Sequence, residues 1–179
     1  MQSYLQSARK QFEYYKSVGE RAMAQASDDA LFWQHNPECN SIATIIKHLQ
    51  GNMLSRWTDF FTTDGEKPSR QRDAEFENDT LSREELLGKW NEGWACLFAA
   101  LDSIDESNWR SDIFIRGEKH TVVDAINRQL AHIPYHVGQI VFIAKMHVGD
   151  DWASLTVPRG KSAEFTAKKF AEEAAKKNS

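Results

Sequence analysis

The chain has 179 residues, 41% hydrophobic and 27% charged, with a formal net charge of −4. That length suits one domain with a sizeable core, and the composition is ordinary for a soluble globular protein. The acidic balance argues against broad nucleic-acid binding, which needs a basic face. No apolar stretch reaches membrane-spanning length and no secretory leader opens the sequence. Cys39 and Cys96 make neither a metal-ligand spacing nor a disulfide framework. A cytoplasmic protein is expected, with no membrane or nucleic-acid partner.

Helical periodicity dominates the chain. The first predicted helix runs from about Tyr4 to Ala26, turning Leu5, Ala8, Phe12, Tyr15, Ala22 and Ala26 inward. Asp28 to Asn40, broken by Pro37, reads as a connection. The second helix is expected from about Ser41 to Phe61, capped by Asn40 or Ser41, with Ile42, Ile45, Leu49, Met53, Trp57 and Phe60 on its apolar side. A long polar crossing follows, Thr62 to Thr80, in which Gly65 and Pro68 mark turns. Its charge run, Asp64 to Glu75, reads first as a solvated loop. The alternative is a strap that closes over one end of the fold and supplies a carboxylate.

Ser82 and Glu85 form a capping-box pattern that opens the third helix, with Leu86, Trp90, Leu97 and Leu101 inward as far as about Ile104. Asp112 to Thr121 suits a small hairpin around Arg116-Gly117. The fourth helix, Thr121 to His147, is the most apolar. Trp152, Leu155 and Val157 are expected to pack back on the helices, and the tail beyond residue 162 is polar with short-helix character. Four long helices with one long connection between the second and third predict an all-α, four-helix bundle with a crossover, as domain 1–162 and tail 163–179. A docked tail would make it a five-helix array.

Chemistry concentrates on histidines. His132 and His136 stand one turn apart, so both rings leave the same side of the fourth helix. They border the stripe Ile126, Leu130, Ile133, Val137, Val141 and Ala144. His48 lies off the centre of the second helix's stripe, and Asn52, Ser55 and Asp59 continue its line, with Arg56 close by. That is a polar wall beside an apolar face, as a small-molecule pocket requires. Two imidazoles joined by a third could hold a divalent metal and leave a position open. By spacing alone a hydrogen-bonded pair is the commoner outcome, and no spacing ties His48 to the other two. Ile133 stands where a zincin has its glutamate, so that motif is absent. His35, His120 and His147 sit in or near loops and read as solvated or locally bonded.

Pro134 between the paired histidines should bend the helix, either aiming the rings or merely tolerated. Gly138 reads as a close-packing position, Cys96 as a small buried hydrophobe. Tyr135 and Gln139 either serve the site or bond a backbone carbonyl.

Ser41 to Met53, SIATIIKHLQGNM, resembles the second-helix motif of the DinB/YfiT-like superfamily, and Gln129 to Ile140, QLAHIPYHVGQI, resembles its paired-histidine helix. The similarity runs from the first helix to about Ser162. It is nearest to a bacillus-type branch carrying stretches like Asp64-Gly65-Glu66-Lys67 and Arg72-Asp73-Ala74-Glu75-Phe76. The resemblance implies a four-helix bundle holding one divalent metal, often zinc or nickel, through three histidines, which fall on His48, His132 and His136. It also implies a homodimer, which the number of aromatic residues, including Trp33, Trp90, Trp94 and Trp109, also suggests.

The activity it implies is a metal-dependent transferase that uses a low-molecular-weight thiol. Asn52, Arg56, Asp59, Tyr135 and Gln139 are the pocket candidates, with Arg56 suited to an anionic co-substrate. The alternatives are a metal-dependent hydrolase, with Asp59 or Glu66 as base, and a non-catalytic dimeric metal-binding or stress protein.

Overall fold

The N-terminal periodicity becomes α1 (Gln2–Gln25) in the computed structural model, which describes residues 1–77 and 81–177. Ala8, Phe12, Val18, Ala22 and Met23 are its buried face. The connection expected over 28–40 contains a short helix, α2 (Asp28–Phe32). Ser27 caps it by accepting the Ala30 N–H, and Asp28 and Asp29 meet the positive end of the helix dipole. Five residues are too few to show a helical period, so the sequence pattern misses it.

Ser41 caps α3 (Ile42–Trp57) by accepting the Thr44 N–H. The helix stops four residues short of its expected end. Thr58 turns extended and Asp59 takes a left-handed φ of 49°. From Ile42 to Leu49 α3 is buried on all sides, because α2, α4, the next long helix and a strap from the crossing all pack on it. That strap includes a 3-10 turn, Asp73–Phe76. The Ser82–Glu85 capping box opens α4 (Arg83–Asp102).

Strands β1 (Asp112–Ile115) and β2 (Glu118–Thr121) pair antiparallel, with Asp112 opposite Thr121 and Ile115 opposite Glu118. Arg116 and Gly117 both have positive φ, 57° and 74°. Positive φ at both central residues is what a two-residue hairpin turn of type I′ requires. Thr121 and Asp124 then form a second capping box, and α5 (Val122–Val148) starts directly from the hairpin. It continues through Pro134, which has no N–H for the preceding turn, and ends at Gly149, φ 64°.

Helix α1 lies against α5 and α4, and α3 lies against α4 and α5. The shared core is aromatic and aliphatic, with Phe12, Leu49, Met53, Trp90, Trp94 and Ile133 almost wholly buried. Trp90 and Trp94 are thus covered by this chain itself, so neither argues for a partner. Glycine lets two of these contacts close. A Cβ at Gly93 would stand 2.6 Å from Met53 Cε and 3.1 Å from the Gln50 Cα, and one at Gly19 would meet the Trp90 ring at 2.7 Å. Gly138 plays no such part, since nothing lies within 4 Å of a Cβ built there.

After α5, Trp152 and Leu155 pack back on the core as expected. Arg21 donates to the Leu155 carbonyl at 2.8 Å, and Gln25 exchanges hydrogen bonds with Ala153. A final helix, α6 (Ser162–Lys177), is exposed from 162 to 171 and is not docked into a five-helix array. Among the described residues no helix is long and apolar enough to cross a membrane.

Candidate metal centre

Helices α3 and α5 bring the three histidines together. His48 Nε2 stands 3.1 Å from His132 Nε2, and the ring centroids of His48, His132 and His136 lie 4.7 to 5.2 Å apart. One ligating nitrogen from each falls within 4.8 Å of the others, so the cluster could hold a metal ion. Nitrogens around a tetrahedral zinc stand roughly 3.3 Å apart, as bond lengths of about 2.0–2.1 Å require.

The far side of each ring decides which nitrogen faces inward. His48 Nδ1 is 3.0 Å from Glu75 Oε2, and His136 Nδ1 is 3.0 Å from Gln139 Oε1. Each partner is an acceptor, so each Nδ1 carries the proton and each Nε2 presents a lone pair to the cluster. Oriented carboxylate or amide acceptors behind the rings are what metal-ligating histidines ordinarily have. His132 differs: its Nδ1 is buried with no hydrogen-bond partner in the protein.

Glu75 comes from the 3-10 turn in the crossing. Arg70 holds it in a two-pronged ion pair, Nε to Oε1 at 2.7 Å and Nη2 to Oε2 at 2.9 Å, and both side chains are almost fully buried. The neighbouring Gly51 makes the room, because a Cβ there would collide with Glu75 Oε1. Lys47 donates to the carbonyls of Ala74 and Glu77, and the Phe76 ring lies 5.1 Å from that of His48. The crossing is therefore a strap over the cluster around Arg70 and Glu75. Its solvated reading holds only for exposed stretches such as 71–74.

Electrostatics disfavour a proton on two of the three rings. Burial, then the positive charge of His136, His48, Arg70 and Arg56, pushes His132 down to about 3. Burial also lowers His136, against the opposing bond to Gln139. Burial works against charge on Glu75, but hydrogen bonds from His48 and Arg70, and the charge of Arg70, keep its carboxyl below the usual range. Neutral imidazoles with free lone pairs do not have to shed protons to bind a metal.

Beside His132 a cavity of about 440 Å³ opens between α3, α5 and the hairpin. Asn52, Arg56 and Tyr135 line it. Gln139 does not; it bonds His136 and lines a separate cleft with Gly138 and Phe142. Asp59 is misplaced by the sequence reading. Because α3 ends at Trp57, its helical phase is lost, and it lies exposed on a separate cleft beside Thr58 and Cys96. Cys96 is half-buried, its Sγ 3.4 Å from Thr58 Oγ1.

Arg56 donates to the Gly65 carbonyl and to Glu66 at 3.0 Å, while Arg116 donates to the same carboxylate at 2.8 Å. Asp64 accepts the N–H groups of Glu66, Arg116 and Gly117, which hold its carboxyl below the usual range. These bonds tie the crossing to the hairpin. Trp57, Arg128 and Gln129, to which the sequence reading assigned no part in a pocket, also line the cavity. His35, His120 and His147 stay outside the cluster; His147 packs edge-on against Trp33 at 4.7 Å.

A family described as "Protein of unknown function (DUF1572)" matches residues 1–161. No curated protein and no solved structure matches the chain. With nearly all of the helical core inside the matched span, the chain belongs to the DUF1572 family.

Proposed function

We propose that this protein is a DinB/YfiT-like metalloenzyme, a transferase that uses a low-molecular-weight thiol. In this reading α1, α3, α4 and α5 form a four-helix bundle, and the stretch from 58 to 82 is its crossover. His48, His132 and His136 hold a single divalent ion, zinc or nickel, through Nε2. The observation that carries the reading is the convergence of three imidazoles, two of which have their second nitrogen bound to Glu75 or Gln139. Three neutral ligands suit either metal and leave its charge undiminished.

A divalent ion there supplies a Lewis acid that lowers the pKa of a thiol at its open position. The chain's own residues do the rest. Glu75 and Gln139 fix two rings, Arg70 neutralises Glu75, and the cavity beside His132 holds the electrophile away from bulk water. The thiol gives its proton to solvent, its sulfur forms the new bond to the electrophile, and the leaving group departs with its electron pair. A hydrolase on this site would want a carboxylate base. Among the described residues Glu66 and Glu75 are both ion-paired with arginines, and Asp59 is outside the cavity, which favours the thiol. A homodimer in the cytoplasm completes the proposal; Tyr135, Phe142 and Met146 leave an exposed apolar stripe on α5 that supports a partner.

Untagged protein purified without chelators should carry a single divalent ion per chain and sediment as a dimer at micromolar concentration. His132→Ala or His136→Ala should lose most of the metal while keeping helical circular dichroism. Wild-type metal content in a His48→Ala, His132→Ala double variant sinks the site. Consumption of small thiols by an electrophile panel should require both metal and thiol. Ester turnover without thiol that disappears on chelation would move the assignment to a hydrolase, and no metal-dependent turnover in either panel would favour the non-catalytic binding protein.

A further inference from the structure

The two halves of the crossing are held by different means. The first is clasped to the hairpin and α3. The Gly65 N–H donates to the Phe114 carbonyl at 2.7 Å, Ser55 Oγ bonds Gly65 and Lys67, and Asp64 accepts the Arg116 and Gly117 N–H groups at 2.8 Å. Glu66 adds ion pairs to Arg56 and Arg116. None of these bonds involves a histidine of the cluster.

The second half, Arg70 to Glu77, is exposed at 71–74, 76 and 77, with Glu75 turned inward. It reaches α3 through Lys47, which donates to the Ala74 and Glu77 carbonyls, and through the bond between Glu75 and His48 Nδ1, beside which the Phe76 ring lies. The buried pair of Arg70 and Glu75 adds little hold by itself, because desolvation of both charges offsets their attraction. Among the described residues Glu75 is the one carboxylate bonded to a cluster histidine. A divalent ion on His48 Nε2 draws electron density from the ring and makes its Nδ1–H a stronger donor, while the carboxylate in turn favours the ion. These are one coupling free energy seen from two ends. Losing an acceptor of this kind behind a ligating histidine costs about 10–100-fold in metal affinity. By reciprocity, bound metal favours the seated position of Glu75 by the same factor.

We propose that Arg70 to Glu77 is a metal-locked flap. Occupancy of the three-histidine site seats it over His48, while the half from Asp64 to Lys67 stays clasped to the hairpin with or without metal. The seated flap shuts the α3 side of the centre, where His48 and His136 are 6% and 8% exposed, and leaves the cavity beside His132 as the way in for small molecules. The proposal rests on the metal-centre reading, since the ion is what locks the flap, and it holds whatever reaction the centre serves.

The test is amide hydrogen exchange of the full chain, chelated or loaded with zinc, read by mass spectrometry of peptic peptides. The reporters are the flap's own bonded amides, Arg70, Glu75 and Glu77, which donate to the carbonyls of Lys67, Arg72 and Ala74. Bound zinc is measured by metal analysis of the same samples, and its affinity by chelator competition. Exchange across 70–77 should slow about tenfold or more with zinc, as the coupling requires. Exchange across 63–67 and along the exposed α6 should change by less than about twofold, because neither opens with the flap. Glu75→Gln should still take up zinc at higher concentration but lose the slowing, and the slowing in the parent chain should match the affinity that this variant loses. Zinc bound with unchanged exchange at 70–77, equal slowing in both halves, or slowing that persists in Glu75→Gln overturns the flap and leaves the metal centre standing. A chain that takes up no zinc overturns both. Should Glu75→Gln fail to fold, the contrast between 70–77 and 63–67 in the parent chain decides alone.

Discussion

Glu75 keeps its charge in a buried position because His48 and Arg70 share it. Glu75→Gln preserves the shape and an acceptor for His48 but removes the charge. Losing such a group behind a metal-ligating histidine costs about 10–100-fold in metal affinity, and that loss is expected here by chelator competition. Gly51→Ala should act the same way while leaving every ligand and Glu75 itself unsubstituted, since its methyl group would displace the Glu75 carboxylate. Unchanged affinity in both variants would show that the carboxylate only packs.

His132 and His136, both with lowered pKa values, are expected to make the metal-free protein acid-sensitive, and His132 shows the larger effect. Its folded pKa is about 3 against an ordinary 6.5, because burial and neighbouring positive groups oppose the proton. The unfolded chain therefore binds the extra proton first as pH falls, so stability is complete above about 6.5 and declines toward pH 3. Urea midpoints of chelated protein should drop across that window. His132→Asn, which cannot titrate there, should flatten the profile. An unflattened profile would put the acid sensitivity on other groups.

At the scale of elements, legibility followed periodicity. The inward faces of α1, α3, α4 and α5 were readable because apolar residues recur every three or four positions, and Ser82 with Glu85 announced its own cap. The hairpin was readable from Arg116-Gly117 between short apolar runs. Glu75 was not, because its partners are five residues away on the strap and twenty-seven away on α3. A charge run looks the same in sequence whether water or Arg70 satisfies it. Asp59 failed for a related reason: extrapolating α3 by phase assumes the helix continues, and it does not. His48 was recognisable through its resemblance to a known motif, while its approach to His132 belongs to helix packing. Gly138 and Gly93 look alike in sequence, yet only Gly93 has a neighbouring backbone against it.

On the scale of the whole molecule, α6 stands apart from the other helices. The segment 149–157 is anchored, with Trp152 and Leu155 against the core and Arg21 and Gln25 bonded to its backbone. Beyond it, Lys161–Glu164, Lys169–Glu172 and Lys176–Glu173 are ion pairs three residues apart within one exposed stretch. Each such pair is worth about 0.2–0.5 kcal/mol, and an isolated helix shorter than about 15 residues is marginal in water. Local terms of that size hold α6 together without stabilising the core, and Phe170 remains 73% exposed. The family match also stops at residue 161. A chain ending at residue 161 should therefore melt within about 2 °C of the full chain and hold the same metal, since a shift of that size corresponds to well under 1 kcal/mol. Its circular dichroism should fall only by the helical signal of the residues removed. A drop of about 5 °C or more, or loss of metal, would mean that α6 docks on the core in solution and that the domain extends to the end of the chain.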